Sequence, residues 1–365
     1  FSKRHGSLVA VGEHASSQGK VAGTGVRSCV FTQPSLGSFV GLLNAAFAYV
    51  ALTLVTANCA FAAGPASNAL PTGGSINNGS LTISQNAAAM TIKQSSDKAS
   101  VNWNTFTIGS AATVDIQQNS ANSVLLNRVV GNDPSQIFGK LSANGQVILI
   151  NPNGIVFGNN GSVTSSAFTA STFELSDSDF IAGYYKYKRN GSSATVSVQD
   201  GATISTTAPA GYVALIGANV DNQGIITTKG GSVVMASGEE TTLPAAMTNN
   251  ISVPLSSKVR LELLPSTINA MISNEGVITT SGGQVLMQAA SLSDAVASVT
   301  HSGVIDTTAA QGGSVTLLSP GGNIKVSGSI TADSAQVSNK GGDVIIGRDE
   351  QTGALAQSTD VSNAI

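Results

Sequence analysis

Charged side chains are scarce in this chain of 365 residues, where they make up 10% of the sequence against about 25% in a typical soluble protein. A coiled coil or another long-helix protein is rich in Glu, Lys and Arg, so the composition excludes that class. The formal net charge of −3, from 17 basic and 20 acidic residues, provides no basic face, and we predict no nucleic-acid partner. Hydrophobic residues reach 41%, which is enough to form a folded core.

Cysteine and histidine are scarcer still, and most of them lie near the start of the chain. Both cysteines, Cys29 and Cys59, and two of the three histidines, His5 and His14, precede the first clear strand pattern. The remainder contains one histidine, His301, and no cysteine, so it can assemble neither a zinc site nor a cysteine nucleophile. It also has no phosphate-binding glycine loop. We therefore predict neither a metal nor a cofactor.

An export signal is predicted after the first 38 residues. Residues 39–57 are almost entirely apolar, and they are followed by Ala60 and Ala62, which satisfy the small-x-small rule of signal peptidase. This pattern predicts export through the Sec machinery and cleavage between Ala62 and Ala63. The alternative is a transmembrane anchor, because about 18 apolar residues can span a bilayer.

The segment that precedes the apolar run is longer than an ordinary signal needs. Residues 1–20 begin with an aromatic residue and Ser, and continue with Val9-Ala10-Val11, Glu13 and Gly19-Lys20. In these features the segment resembles the extended signal peptide region of large exported adhesins and autotransporters. The resemblance implies a slow export step for a very large passenger.

The rest of the chain consists of short β-branched runs separated by Gly, Asn, Asp and Ser, which is typical of many short strands. It also contains an internal repeat, most clearly VDNQGIITTKGGSVVMAS (220–237) and ISNEGVITTSGGQVLMQA (272–289). A repeat of roughly 25–30 residues without a helix favours a parallel β-helix over a sandwich or a propeller. We predict an all-β, right-handed parallel β-helix, a pectin-lyase-like solenoid with an N-terminal cap and protruding β insertions.

Paired glycines mark the repeats, at Gly231, Gly283, Gly313 and Gly342. The first interval is the longest, because it holds the distinct segment 239–265. We predict that this segment is an insertion that protrudes from one turn of the solenoid.

Two pairs of carboxylates are the candidates for catalysis, since parallel β-helices also include polysaccharide-degrading enzymes and glycoside hydrolysis needs two positioned acids. They are Asp177 with Asp179 and Glu239 with Glu240, and both pairs fall where loops are expected. We interpret all four as solvated loop acids and His301 as an exposed turn residue. We therefore predict that the chain is not an enzyme, with a polysaccharide-degrading enzyme as an alternative.

The most specific feature of the chain is Asn151-Pro152-Asn153-Gly154-Ile155, which joins the strand-like runs VILI and IVF. Pro at the second position of a turn presets φ, Asn tolerates the left-handed conformation, and Gly closes the corner. The residue types therefore predict a tight turn between two strands.

The stretch GQVILINPNGIVFG also resembles a family pattern. The region resembles the secretion domain of two-partner secretion exoproteins of the filamentous haemagglutinin type. The matching segments occur in order: LPTGGSINNGSLTI (70–83), VNWNTFTIG (101–109), SANSVLLNRVVG (120–131), NGQVILINPNGIVFG (144–158) and FTAST (168–172). A second motif of some members, Asn-Pro-Asn-Leu, is absent, and Asn127-Arg128-Val129 occupies the corresponding region, as in the high-molecular-weight-adhesin branch.

The resemblance implies a secreted or surface-displayed adhesin of a Gram-negative bacterium. It implies that a dedicated outer-membrane barrel of the TpsB type recognises the domain through its POTRA domains, with Asn127, Arg128, Val129 and residues 151–155 as the secretion motifs. It further implies a receptor on a host or neighbouring cell for the C-terminal part of such a protein. A carrier of a contact-dependent inhibition toxin shares this N-terminus and is kept as an alternative.

These predictions divide the chain into four parts. The expected boundaries are 1–38 for the extended signal peptide region, 39–62 for the signal core and cleavage site, 63–190 for the secretion domain, and 191–365 for further coils. The chain ends without an obvious capping segment, and we interpret the sequence as a fragment of a larger protein.

Overall fold

A computed structural model describes residues 64–362, with the exception of residues 256, 293, 337, 338 and 351. The extended signal peptide region (1–38), the signal core (39–62) and the cleavage site at Ala60, Ala62 and Ala63 therefore lie outside the described residues. Within the described part, no helix is long and apolar enough to cross a membrane.

Short strands account for nearly all of the regular structure, and two short helices, α1 (Asp177–Ala182) and α2 (Ala245–Thr248), interrupt them. In chain order the strands are β1 Ser75–Asn78, β2 Leu81–Asn86, β3 Ala89–Gln94, β4 Lys98–Trp103, β5 Thr113–Gln117, β6 Val124–Val129, β7 Ser135–Ile137, β8 Lys140–Ala143, β9 Gln146–Ile150, β10 Ile155–Phe157, β11 Ser162–Ser165, β12 Ala167–Ser171, β13 Glu174–Leu175, β14 Lys186–Lys188, β15 Thr195–Val198, β16 Thr203–Thr206, β17 Val213–Ile216, β18 Asn219–Asn222, β19 Ile225–Thr228, β20 Ser232–Ser237, β21 Glu240–Thr242, β22 Glu262–Leu264, β23 Ala270–Asn274, β24 Val277–Thr280, β25 Gln284–Ala289, β26 Ala297–His301, β27 Val304–Asp306, β28 Ser314–Leu318, β29 Asn323–Val326, β30 Ser329–Thr331, β31 Asp343–Ile346 and β32 Ser358–Asp360.

Three sheets form the walls of a parallel β-helix. Sheet I has the order β1-β4-β6-β9-β12-β17-β20-β25-β28-β31, sheet II the order β2-β3-β5-β8-β11-β16-β19-β24-β27-β30, and sheet III the order β7-β10-β15-β18-β23-β26-β29-β32. From β3 onward, neighbouring strands within these three sheets are parallel, as in the pair of β20 and β25. The predicted β-helix is confirmed, because from β5 onward each coil contributes one strand to each wall.

An antiparallel cap covers the N-terminal end of the coils. Strand β1 pairs antiparallel with β4, and β2 pairs antiparallel with β3 in a hairpin. Leu81 from β2 and Met90 from β3 are buried in the core of the coils. The cap therefore shields the first coil from water.

The repeated Ile-Thr-Thr-x-Gly-Gly pattern follows from the alternation of side chains along a strand. In β19, Ile226 is fully buried while Ile225 points outward and is exposed. Thr228 is buried at the corner, where its hydroxyl donates to the carbonyl of Gly231 at 3.1 Å. Thr228 is also in register with Thr280 of the next coil. Each repeat therefore places the same corner on top of the previous one.

The second glycine of each pair lies where two coils approach closely. A methyl group on Gly283 would overlap the carbonyl oxygen of Gly231, one on Gly313 the oxygen of Gly283, and one on Gly342 the oxygen of Gly313. Only glycine fits at these positions, because a side chain would overlap the backbone of the preceding coil.

A fourth sheet, the lateral sheet, lies outside the coils and consists of β13, β14, β21 and β22 in antiparallel order. Segment 239–265 contains β21, α2 and β22, and it leaves the coil between β20 and β25, which pair directly. Tyr187 of β14 and Met247 of α2 pack with Ile148 and Val234 on the outer face of sheet I. The central strands of sheet I are thus buried on both faces, which explains their continuous apolar runs.

A polar ladder runs through the interior at the end of three strands of sheet III. The side-chain amide of Asn222 donates to Asn274 Oδ1 at 2.7 Å, and Asn274 Nδ2 donates to His301 Nδ1 at 3.0 Å. Nδ1 therefore accepts, and the remaining ring nitrogen, Nε2, donates to the carbonyl of Ser329 at 3.1 Å.

The register of the strands makes His301 equivalent to Asn222 and Asn274 of the preceding coils. Its predicted exposure is wrong, because the side chain of His301 is fully buried. The corner position points into the coil, and the imidazole replaces an asparagine amide in the stacked hydrogen bonds. Histidine is intermediate in its tendency to be buried, so the residue type alone does not predict this position.

Burial lowers the pKa of His301 from its ordinary value of 6.5. A group whose folded pKa is depressed contributes stability above its unfolded pKa, and this stability is lost as the pH falls through the folded value. We expect urea unfolding midpoints of the domain to fall between about pH 7.5 and about pH 5.5.

The control for this prediction is His301→Asn, which continues the asparagine ladder without a titratable ring. Asp221 complicates the comparison, because burial and Glu275 raise its pKa to about 6, and its protonation adds stability as the pH falls. Both proteins share this contribution. An equal pH dependence in the two would contradict the assignment to His301.

Candidate functional site

Asn151, Pro152, Asn153 and Gly154 form the predicted tight turn, which connects β9 of sheet I to β10 of sheet III. The backbone N–H of Gly154 donates to the carbonyl of Asn151 at 3.1 Å. Gly154 has a φ of 118°, a region that glycine enters readily and other residues avoid. The positive φ therefore belongs to Gly154, and neither Asn151 nor Asn153 is left-handed.

The side chain of Asn151 holds the turn from inside. It is fully buried, and its Nδ2 donates to the carbonyl of Asp133 at 2.9 Å and to Ser135 Oγ at 3.0 Å. Its Oδ1 accepts from the backbone N–H of Asn153 at 3.0 Å and from Asn153 Nδ2 at 3.2 Å. In the folded domain, Asn151 is thus a structural residue that no partner can reach.

The remaining residues of the turn divide into an exposed and a buried group. Asn153 is exposed, and its Nδ2 also donates to the carbonyl of Gly131 at 2.9 Å. Pro152 is half-buried, and its carbonyl accepts from Ser192 Oγ at 2.7 Å. Ile155 is fully buried in the core of the coils. Asn153 is therefore the side chain of this turn that is most available to a partner.

The three residues of Asn127-Arg128-Val129 alternate across β6. Asn127 and Val129 point into the coil, where both are buried. Asn127 Oδ1 accepts from the indole N–H of Trp103 at 3.1 Å, and its Nδ2 donates to the carbonyl of Ile148 at 3.4 Å. These two residues therefore stabilise the first coils from inside.

Arg128 points to the outer face of sheet I, where its guanidinium is surrounded by acceptors. Nη1 lies 2.9 Å from Asp177 Oδ1, Nε lies 3.9 Å from Glu174 Oε2, and Nη2 donates to the carbonyl of Leu175 at 2.6 Å. Nη1 also donates to Asn102 Oδ1 at 3.3 Å. The side chain of Arg128 is only 11% exposed, although that of Asp177 is 47% exposed.

The fold brings the two motifs together at neighbouring strands. Arg128 of β6 is in register with Ile150 of β9, and Ile150 directly precedes the turn. The chain that follows β6 then supplies the carbonyls of Gly131 and Asp133 that bind the two asparagines of the turn. Both motifs are visible in the sequence, but their contacts with Trp103 and Asp177 are not. These contacts cross strands, and no sequence spacing predicts them.

The four candidate catalytic acids were expected in solvated loops; the loop position is wrong for three of them, although Asp177 is exposed as expected. Asp177 and Asp179 lie in α1 and Glu240 lies in β21, while Glu239 directly precedes β21. Three of them pair with a basic side chain: Arg128–Asp177 at 2.9 Å, Arg189–Glu239 at 2.7 Å and Lys186–Glu240 at 2.6 Å. The fourth, Asp179, accepts from Ser176 Oγ at 2.7 Å at the start of α1. These contacts of the acids therefore stabilise the lateral sheet and α1.

No group of three or more His, Cys, Asp or Glu side chains among the described residues could hold a metal ion.

Comparison with known proteins identifies the region that contains both motifs. The family model described as "TPS secretion domain" matches residues 67–332. The chain is 32% identical over 220 residues to a heme/hemopexin-binding protein of Haemophilus influenzae strain Rd, which covers 57% of this chain and 22% of that protein. A second heme/hemopexin-binding protein of H. influenzae is 39% identical over 112 residues, which covers 30% of this chain and 12% of that protein.

Two solved structures are also similar. The HMW1 secretion domain from H. influenzae superimposes with a TM-score of 0.58 at 24% identity, over 80% of this chain and 82% of that one, and supports the fold. The filamentous haemagglutinin secretion domain gives a TM-score of 0.47 at 17% identity, over 81% of this chain and 99% of that one. None of these similar proteins is described as an enzyme.

The family match spans most of the chain, whereas the chain spans about a fifth or less of the curated relatives. Proteins with this domain are exported through the outer membrane to the cell surface or the medium, which confirms the predicted localisation. Because the matched region extends from the cap through most of the coils, the chain belongs to the TPS secretion domain family.

Proposed function

We propose that this domain is the part of a large adhesin-type exoprotein that a TpsB-type outer-membrane transporter recognises through its POTRA domains. The observation that carries the proposal is the convergence of the two secretion motifs on adjacent strands of the first coils. They meet where the capped end of the solenoid is formed, which is the end that leaves the inner membrane first. A partner that binds this region can bind the chain before the later coils have folded.

We also propose that the domain serves as the template for folding outside the cell. Each coil makes its backbone hydrogen bonds with the coil before it and the coil after it, so the fold can grow one coil at a time. The cap supplies the first surface for this growth. The receptor-binding activity of such an exoprotein then belongs to parts beyond this domain.

The leader completes the proposed export route. Residues 1–38 form the extended signal peptide region and residues 39–62 the signal core, with Sec-dependent export and cleavage by signal peptidase after Ala62. Residues 63–190 carry the secretion motifs, and residues 191–365 continue the solenoid. The heme/hemopexin binding named for the relatives is not carried over, because the chain matches only a small part of those proteins.

We infer that the domain has no catalytic activity. The support for this inference is that three of the four candidate acids are ion-paired and the fourth, Asp179, accepts a hydrogen bond from the N-cap residue Ser176, so each carboxylate that hydrolysis would need already has a partner within the domain. Purified domain should therefore release no product from acidic or neutral glycans. Turnover that depends on Asp177 or Glu239 would contradict this.

The export proposal is tested in cells that produce the chain with or without a TpsB-type transporter. We expect the chain in the medium or on the surface only when the transporter is present, and mass spectrometry should find its N-terminus at Ala63. The matched control is a chain that lacks residues 63–190 but keeps the leader. Export of the complete chain without the transporter would overturn the proposal.

A further inference from the structure

Helix α1 lies against the first three strands of sheet I, and each of these strands contributes a polar side chain to it. Asn77 of β1 donates its Nδ2 to Asp177 Oδ2 at 2.7 Å. Lys98 of β4 donates its Nζ to the carbonyls of Phe180 and Ile181, each at 3.0 Å. These contacts join both ends of α1 to the capped end of the coils.

Arg128 of β6 is the third contributor and makes the largest number of polar contacts. Its guanidinium binds Asp177 in α1, Glu174 in β13 and the carbonyl of Leu175. The carboxylate of Asp177 therefore binds the side chains of both Arg128 and Asn77. This one carboxylate links β6, α1 and the cap strand β1. We call this arrangement of Asn77, Lys98 and Arg128 around α1 the clip.

The electrostatics of the clip agree with its geometry. Asp177 and Asp179 lie in the first turn of α1, where negative side chains are favoured by the unpaired backbone N–H groups. The Nζ of Lys98 binds the carbonyls near the other end and lies 5.8 Å from the centre of the Phe180 ring, which adds a cation–π attraction. A six-residue helix is unstable alone, so these side chains hold it in place.

We propose that Arg128 contributes to secretion as a positioning residue, which fixes α1 across the cap and the first coils, and that its guanidinium does not itself contact the transporter. This inference rests on the proposed function. Its basis is that all three guanidinium nitrogens already have partners within the domain and that the side chain is 11% exposed. A transporter could reach Arg128 only by breaking the clip.

The clip has a consequence for the order of events during export. Asn77 and Asp177 are 100 residues apart in the chain, so the cap strand cannot be clipped until α1 has also left the inner membrane. Closing a loop of that length carries an entropic cost that only the finished contacts offset. The contact between β1 and α1 therefore forms only after residues 174–183 have arrived.

The test uses the full chain with four substitutions: Arg128→Ala, Asp177→Ala, both together, and Lys188→Ala as the matched control. Lys188 is a basic residue of β14 in the lateral sheet; it is 53% exposed and makes a 3.8 Å contact with Glu240 instead of with α1. One measurement is the secreted fraction in cells with the transporter. The other is hydrogen exchange of the refolded chains.

We expect Arg128→Ala and Asp177→Ala to reduce secretion to a similar extent, and the double variant to secrete no less than the poorer single variant. In both single variants, amides of β1 and α1 should exchange at least roughly tenfold faster, because the clip no longer holds them closed. Lys188→Ala should leave secretion and exchange unchanged.

Normal secretion of Asp177→Ala together with loss of secretion in Arg128→Ala would overturn the proposal and indicate direct contact of the guanidinium with the partner. Unchanged exchange in β1 and α1 would overturn it as well. If Arg128→Ala does not refold, Asn77→Ala, which removes one hydrogen bond of the clip, should still accelerate exchange in α1. Failure of the proposed function is distinct, because the unaltered chain would then be exported without the transporter.

Discussion

Replacing Gly283 by alanine should destabilise the domain by more than about 3 kcal/mol, which is at the high end for a single substitution. The added methyl group would overlap the carbonyl oxygen of Gly231 in the preceding coil. Backbone cannot move aside as a side chain does, because β20 and β25 are held in register by six residue pairs. The measurement is urea unfolding, and we expect a lower midpoint or no cooperative transition.

Gly341→Ala is the matched control for this substitution, because Gly341 is the first glycine of an equivalent pair. A methyl group on Gly341 would meet only the carbonyl oxygen of Ala332, at an ordinary contact distance of 3.5 Å. We expect a change in stability within about 0.5 kcal/mol, as at other uncrowded positions. Equal losses in Gly283→Ala and Gly341→Ala would show that the close approach of the coils does not set the requirement for glycine.

Asn151→Ala should cost about 2–3 kcal/mol of the free energy of unfolding, whereas Asn153→Ala should cost less than about 1 kcal/mol. Loss of the Asn151 side chain leaves the carbonyl of Asp133, Ser135 Oγ and the N–H of Asn153 without their partner. Asn153→Ala removes hydrogen bonds of an exposed side chain, which water can replace. Urea unfolding of the two variants measures the difference.

The same two variants separate folding from recognition when their secreted fractions are measured with the transporter present. A role of the turn in recognition predicts that Asn153→Ala loses secretion while its unfolding midpoint stays near that of the unaltered domain. Asn151→Ala serves as the structural control, since its side chain is buried in the folded domain. Secretion that only follows the unfolding midpoint across both variants would identify the turn as structural.

Local patterns in the sequence are sufficient to predict the architecture and the position of the candidate site. Alternating side chains recur in each repeat, and the two clearest repeats share a Thr-x-x-Gly corner, so that Thr228 stacks on Thr280. The turn at residues 151–154 also depends on its own residues. Pro152 presets the backbone and Gly154 supplies the positive φ.

The burial of the polar residues and the identity of their partners depend on tertiary contacts, which the sequence pattern does not show. His301 looks like a turn residue in the sequence, yet it lies in a ladder with Asn274 inside the coil. Asp177 looks like a loop acid, yet it binds Arg128 and Asn77, which is 100 residues away in the chain. The physical reason is that strand alternation specifies the face on which a residue lies, while the partner on that face comes from another coil or from the lateral sheet.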